Sequence, residues 1–360
     1  MAMNVIERAE ANNSAYKVAM FRVKQQMDYD FKLAYAKRRA WEFLEHPEID
    51  GNAYVAVGGL DSITLLLFLR SIGIDVPAVS VSALEDKSIQ RIHRQLGVEA
   101  LKPLKSKVEV IREFGWPVLS KELAGKIALL QNPSEKNATV RHAIITGETG
   151  AYGGFRKGTR MKMPQKWLEK FGGYENEREG TSYSVPDFLV SDRCCYYLKE
   201  RPCNLYARES GRYPYMGLMA AEGGRRQKAL MINGCNYISP GTKRSAPFAI
   251  FNRQDLLQLA LDLNAPVPEI YGEIVRDPDG TLRTTKAQRT GCSMCGFGIH
   301  LEKRPHRFDR LFEQNPREWE MWMTRVVQRP YGSWYGWGHV LDYIGVDWRN
   351  PEMWLEGTLC

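Results

Sequence analysis

Asn52–Val57 (NAYVAV) is a short run of strand-favouring residues that stops at Gly58-Gly59, and Asp61–Ile72 (DSITLLLFLRSI) continues at once as an apolar helix. A strand, a double glycine and a helix in that order leave few architectures open. The pattern then repeats: Val76–Val81 (VPAVSV) reads as a second strand, Asp86–Leu96 as a helix and Glu99–Leu104 as a third strand. Strands that alternate with helices run parallel, joined by right-handed crossovers. The fold class expected is α/β: a parallel twisted sheet flanked by helices, with an N-terminal helical extension and a C-terminal helical subdomain.

The extension is read from Tyr16, Met20, Val23, Met27, Phe31, Leu33, Tyr35, Trp41 and Leu44, whose helical spacing predicts one long helix or two shorter ones. From about residue 125 to 186 the regularity fades into Gly-, Lys- and Arg-rich sequence, read as an insertion or mobile region over the sheet edge. Regular signal returns with a helix near Asp192–Lys199, a strand near Tyr215–Met219 and a helix at Arg253–Leu263. Six of the nine tryptophans (Trp319, Trp322, Trp334, Trp337, Trp348, Trp354) fall in the last stretch, where such density predicts a packed helical subdomain rather than a base-stacking surface. The expected organisation is residues 1–50 as the extension, 51–265 as the nucleotide-binding α/β domain with its insertion, and 266–360 as the Cys- and Trp-bearing C-terminal region.

With 360 residues, 44% hydrophobic, 26% charged and 18 prolines, the chain has the balance of a globular protein with a sizeable core; collagen-like and wholly disordered readings are excluded. No apolar run reaches the length of a bilayer span, and the N-terminus lacks an apolar signal core, so a cytoplasmic protein is expected. In a reducing compartment seven cysteines do not form a disulfide framework and need another role. The 50 basic against 42 acidic residues leave a net charge of +8, which favours a polyanion such as a nucleotide or nucleic acid without specifying either.

The double glycine lets the backbone turn tightly and approach an anion, while the following helix N-terminus offers free N–H groups and the positive end of its dipole. Ser62 can add a hydroxyl donor. Asp61 can cap the helix or hold a magnesium ion indirectly. A plain turn and helix cap is the competing reading of the same residues.

Cys194-Cys195 and, 97 residues later, Cys292-x-x-Cys295 supply four thiolates from two short segments, enough for one zinc ion or one cubane iron–sulfur cluster. Adjacent cysteines turn poorly toward a single ion, and a cluster with iron at several corners accommodates them better. Buried inert thiols remain the alternative.

Two resemblances attach to these motifs. Val57-Gly58-Gly59-Leu60-Asp61-Ser62 resembles the Ser-Gly-Gly-x-Asp-Ser pyrophosphatase loop of the adenine-nucleotide alpha-hydrolase-like superfamily, with Val57 in place of the first serine. SDRCCYYLKERP, GCNYISPGTKRSAPFAIFNRQDLL and RTGCSMCGFGIHLEKRPHRFDRL resemble the cluster-bearing branch of the phosphoadenosine-phosphosulfate and adenylyl-sulfate reductase family, as does the earlier FGWPVLSKELA. The resemblance runs from about Asn52 to about Ile344.

It implies that Cys194, Cys195, Cys292 and Cys295 ligate a four-iron four-sulfur cluster, with Lys199 offsetting negative charge on the cluster or a bound sulfate. It also implies that Val57, Gly58, Gly59, Leu60, Asp61, Ser62, Ser82 and Arg226 contact the nucleotide and its phosphates. Glu222 and Arg226 match a Gly-x-x-x-x-Glu-Ser-x-x-Arg stretch in which Gly223 replaces the serine. The activity implied is an oxidoreductase acting on sulfur: reductive release of sulfite from adenylyl sulfate or its 3′-phosphate, with a thioredoxin-like electron donor.

In that family a separate cysteine on a mobile tail attacks the sulfur, and the terminal motif that carries it is not evident here. Cys360 is the candidate on this chain; Cys203 and Cys235 read as packing residues. Two other readings remain: a sulfur-transfer enzyme of the ATP-pyrophosphatase type acting on nucleic acid, favoured by the basic stretch 156–166, and a non-catalytic nucleotide-binding module of a mobile element or defence system. No membrane partner is expected; a homo-oligomer is allowed.

Overall fold

The computed structural model describes residues 14–148, 161–173, 175–176, 181–292 and 294–349. These divide into two compact units, Met1–Pro103 with Lys199–Ser293 and Leu104–Leu198 with Met294–Cys360.

The first unit opens with two helices, α1 (Ser14–Gln26) and α2 (Tyr29–Leu44). Asp28 separates them, its carboxylate accepting from the Phe31 amide at the start of α2. Ala36, Ala40 and Phe43 form the buried stripe of α2. Strand β1 (Ala53–Ala56) is followed by α3 (Leu60–Ser71), β2 (Ala78–Ser80), α4 (Lys87–Gln95) and β3 (Glu99–Ala100). The chain returns to this unit with α5 (Arg201–Ser210), β4 (Tyr213–Met216), α6 (Gly224–Asn233), β5 (Asn236–Ser239), β6 (Thr242–Ser245) and α7 (Arg253–Asp262).

The six strands lie in the order β3-β2-β1-β4-β6-β5. All neighbours are parallel except the edge pair β5 and β6. Val55 at the centre pairs with Ala78 on one side and Tyr215 on the other. The mixed, mostly parallel sheet with helices packed on it is the α/β class expected. Its core is largely aliphatic: Val55, Ile63, Leu65, Leu66, Leu69, Ile250 and Leu256 are buried beside Phe43, Phe68, Phe248 and Phe251. One ion pair is also buried there, Lys32 Nζ to Asp255 Oδ2 at 2.8 Å.

Topology decides where a ligand can bind. From β1 the chain adds β2 and β3 on one side and later adds β4 on the other, so the order reverses between β1 and β4. In open α/β sheets the carboxyl ends of such a strand pair leave a crevice, because their crossovers depart in opposite directions. The double glycine sits at the carboxyl end of β1, on that crevice.

Among its described residues the second unit has no comparable sheet. Its described strands are two-residue pairs, Val118–Leu119 with Gly296–Phe297, Val327–Gln328 with Trp334–Tyr335, and Glu175–Asn176 with Thr181–Ser182. The core is aromatic instead, with Trp116, Trp167, Phe171, Phe188, Phe308, Trp319, Trp322, Trp337 and Trp348 all buried. Among the described residues, the stretch read as irregular holds three helices, Lys121–Gln131, Ala138–Thr146 and Gln165–Phe171. Ser120 caps the first, and Ala124, Ile127 and Ile144 bury their side chains in the aromatic core; so few buried positions set no clear helical period in the sequence. Of the C-terminal tryptophans, 319, 322, 337 and 348 are packed inside as expected, Trp334 is exposed on a strand, and Trp354 lies outside the described residues. Among the described residues no helix is long and apolar enough to cross a membrane.

Candidate functional site

The turn after β1 is built from its own atoms. Val57 is buried in the core, and its amide continues the β ladder to the Val79 carbonyl at 2.9 Å, so neither its side chain nor its amide is offered to the turn. The Gly58 amide donates to Ser62 Oγ at 2.6 Å, and that hydroxyl donates in turn to the Gly59 carbonyl at 3.0 Å. Ser62 therefore braces the loop from inside. Gly59, not Asp61, is the N-cap of α3, and it provides no side-chain cap; Asp61 stands in the first turn.

The Leu60 amide, which a side-chain cap or an anion would otherwise satisfy, donates to the Tyr271 hydroxyl at 3.2 Å. Tyr271 Oη also shares a hydrogen bond with Thr290 Oγ1 at 2.8 Å. A Cβ on Gly59 would overlap the Tyr271 hydroxyl and crowd Thr290, so glycine is required there by close approach. Across the crevice, Gly217 after β4 lies against the Asp61 and Ser62 backbone, where a Cβ would come within 3.0 Å.

A second layer fixes the loop from β2. Ser82 follows that strand in a short 3-10 turn, and its Oγ lies 2.9 Å from Nδ1 of buried His93. The other ring nitrogen, Nε2, lies 2.8 Å from the Gly58 carbonyl. A carbonyl only accepts, so Nε2 carries the proton and Nδ1 accepts from Ser82. Burial favours this neutral ring and lowers the His93 pKa. The Ser82 hydroxyl, expected to face the nucleotide, is thus spent on positioning His93.

Three sets of paired charges surround the loop. Asp61 Oδ1 accepts from Arg253 Nη1 at 2.8 Å; burial raises the Asp61 pKa although the guanidinium opposes the shift. Arg226 pairs with Glu222 at 2.6 Å with 57% of its side chain exposed, and Arg289 approaches the same carboxylate at 3.8 Å. Lys199 Nζ donates to buried Glu85 at 2.6 Å. Burial works against the ammonium, but Cys292 and Glu85 more than offset it and hold the Lys199 pKa above its ordinary value.

The thiols are divided. Cys194 and Cys195 follow one another on the short helix Arg193–Cys195 of the second unit, Cys194 buried and Cys195 partly so. The helical run continues through a π-turn, Tyr196–Glu200, into α5. Cys295, in the second unit, has its carbonyl tied to Arg307 Nη1 at 2.9 Å, whereas Cys292 belongs to the first. Among the described residues no three His, Cys, Asp or Glu side chains are gathered as ligands of one ion are. Three of the four thiols thus belong to the second unit and Cys292 to the first. Cys235 is buried in the first unit's core, and burial raises its pKa and that of Cys203. Cys360 lies outside the described residues.

Sequence reading brought out the contiguous residues Gly58 to Ser62 and missed His93, Arg253, Tyr271 and Thr290, which complete the site. Their signals, a lone histidine on a helix or an arginine after an Asn cap, are common in any chain. Among solved structures, a phosphoadenylyl-sulfate (PAPS) reductase from Candida auris in a phosphate complex matches 78% of this chain and 98% of its own, at 10% identity and a TM-score of 0.33. No family model and no curated protein matches the chain. At that identity and TM-score no residue role transfers, and the site rests on its own geometry.

Proposed function

We propose that the first unit binds an adenine nucleotide at the crevice between β1 and β4. The observation that carries this reading is the position of the braced Gly58-Gly59 turn: at the carboxyl end of the central strand, where strand order reverses, at the start of a helix. Arginines 226, 253 and 289 supply positive charge for phosphates, and the switch-point crevice gives the base a place to lie.

The finer reading is a sulfonucleotide substrate, adenylyl sulfate or its 3′-phosphate, from which sulfite is released. It is supported by the resemblance of the Cys194-Cys195 and Cys292-x-x-Cys295 segments. In the balanced reaction a thiolate attacks sulfur, the adenosine phosphate leaves, and an external dithiol of the thioredoxin class then releases sulfite and is oxidised to its disulfide. Cys360 is the proposed thiolate, and a four-iron cluster on the four thiols is the proposed cofactor.

The test is calorimetric titration of the protein with ATP, adenylyl sulfate and its 3′-phosphate, followed by assays for sulfite and pyrophosphate with a dithiol present. Binding of a sulfonucleotide with sulfite release is expected, and Cys360→Ser should abolish the release. Pyrophosphate released from ATP instead would replace the reductive reading with a nucleotide-activating one. Failure to bind any adenine nucleotide rejects the proposal.

A further inference from the structure

The loop's own donors are mostly committed. The Gly58 amide is taken by Ser62, the Leu60 amide by Tyr271, and the Ser62 hydroxyl by Gly59. Arg226, the arginine singled out from sequence, is exposed and held by Glu222. Arg253 differs. Its Nη1 is engaged with Asp61, while Nε and Nη2 are buried and have no hydrogen-bond partner among the described residues. Those two nitrogens form one edge of the guanidinium, the pair of parallel donors that grips two oxygens of a carboxylate, phosphate or sulfate side-on.

Native proteins rarely leave such donors orphaned, because each buried unsatisfied charged donor carries a desolvation cost that a ligand removes. The side chain as a whole is 28% exposed, so the residue is reachable although this edge is covered. It also occupies the first position of α7, where the helix dipole adds to its positive field.

We propose that Arg253 is the specificity-determining residue of this site, its Nε–Nη2 edge seating a tetrahedral oxyanion of the nucleotide, a phosphate or a sulfate, beside Asp61. This rests on the nucleotide-binding reading above. Asp61 then acts as the orienting partner: it fixes the guanidinium through Nη1 and leaves the opposite edge for the ligand. An Asp61–Arg253 pair used only for charge neutralisation would not need a planar fork, and a lysine would serve it.

The experiment is calorimetry on the full chain with adenosine, AMP, adenylyl sulfate and ATP, for the wild type, Arg253→Lys and Asp61→Asn. Arg253→Lys keeps the charge and loses the fork. It should weaken the phosphate-bearing ligands about tenfold or more and leave adenosine unchanged. A loss shared by AMP and adenylyl sulfate assigns the edge to the phosphate; a loss confined to adenylyl sulfate assigns it to the sulfate. Asp61→Asn removes the carboxylate that orients the guanidinium and should weaken the same anionic ligands severalfold, leaving adenosine unchanged and the melting temperature within a few degrees. Equal affinity of Arg253→Lys and wild type for every anionic ligand overturns the proposal and leaves the nucleotide site standing. A wild type that binds none of the four ligands overturns both. If Arg253→Lys melts early, unchanged ratios of both AMP and adenylyl sulfate affinity to adenosine affinity in its folded fraction still overturn the proposal.

Discussion

The two units reach order by different means. In the first, a six-stranded ladder fixes backbone positions, and small and aliphatic side chains fill the space around it. In the second, paired strands are two residues long, and large rings define the positions: Trp116 packs edge-on against Trp337 with centroids 4.7 Å apart, Phe308 lies 5.5 Å from Trp337, and Trp319 meets Trp348 at 5.7 Å. A ladder tolerates changes of side-chain volume because its hydrogen bonds do not depend on them. A ring-packed core does not, since each ring is the wall of its neighbour's pocket.

The largest effect that can break this contrast is at Trp337, which is fully buried and against which Gly296 packs too closely for any Cβ. Trp337→Ala should cost about 3–5 kcal/mol, read from urea denaturation, and should release the near-ultraviolet signal of the tryptophans first. A loss under 1 kcal/mol, with that signal intact, would mean that the second unit is held by something other than its rings.

A smaller effect is expected in the first unit, at the point where side chains do touch the ladder's end. Gly59→Ala should cost about 1–3 kcal/mol by overpacking against Tyr271. Tyr271→Phe alone should cost about 1 kcal/mol through the lost bonds to the Leu60 amide and Thr290. Together they should cost less than their sum, because removing the hydroxyl makes room for the methyl group. Strict additivity in denaturant melts would show that the two residues do not meet.

The smallest effect is a pH dependence carried by His93. Burial lowers its folded pKa below the ordinary 6.5, so the unfolded chain takes up a proton first as pH falls. Its contribution to stability is therefore complete above about pH 6.5 and is lost as pH drops through the lowered folded value. Wild type should lose melting temperature between pH 7.5 and pH 5 more steeply than His93→Gln. Parallel profiles would remove His93 as the neutral brace of Gly58.

What the sequence disclosed follows from distance along the chain. The strand, double glycine and helix at residues 52–72 are contiguous, and their local spacing fixes both the turn and its place at the end of a strand. Tyr271 reaches Leu60 across 211 residues and Arg253 reaches Asp61 across 192, and nothing in the local pattern around either residue marks the encounter. The same limit applied to the hydroxyls. Ser62 and Ser82 are the right residue types at the right positions, but a hydroxyl both donates and accepts, so its direction is decided by neighbours such as His93 that only the fold supplies. The aromatic core was legible as composition, whereas the helices of 121–146 were not, because their buried apolar positions, Ala124, Ile127, Ala143 and Ile144, are too few to set a helical period.

The register of β1 has a consequence for how the protein is made. Ala53 pairs with Tyr213, so the central strand waits for a partner that follows it by 160 residues. At ribosomal speeds of about 5–20 residues per second, that edge stands open for on the order of ten to thirty seconds. The segment 104–198 emerges within that time, and throughout it Ala53–Ala56 presents an unpaired apolar edge of the kind that invites another chain. A nascent molecule of this protein is therefore most exposed to misassembly, and most in need of a chaperone, midway through its own synthesis.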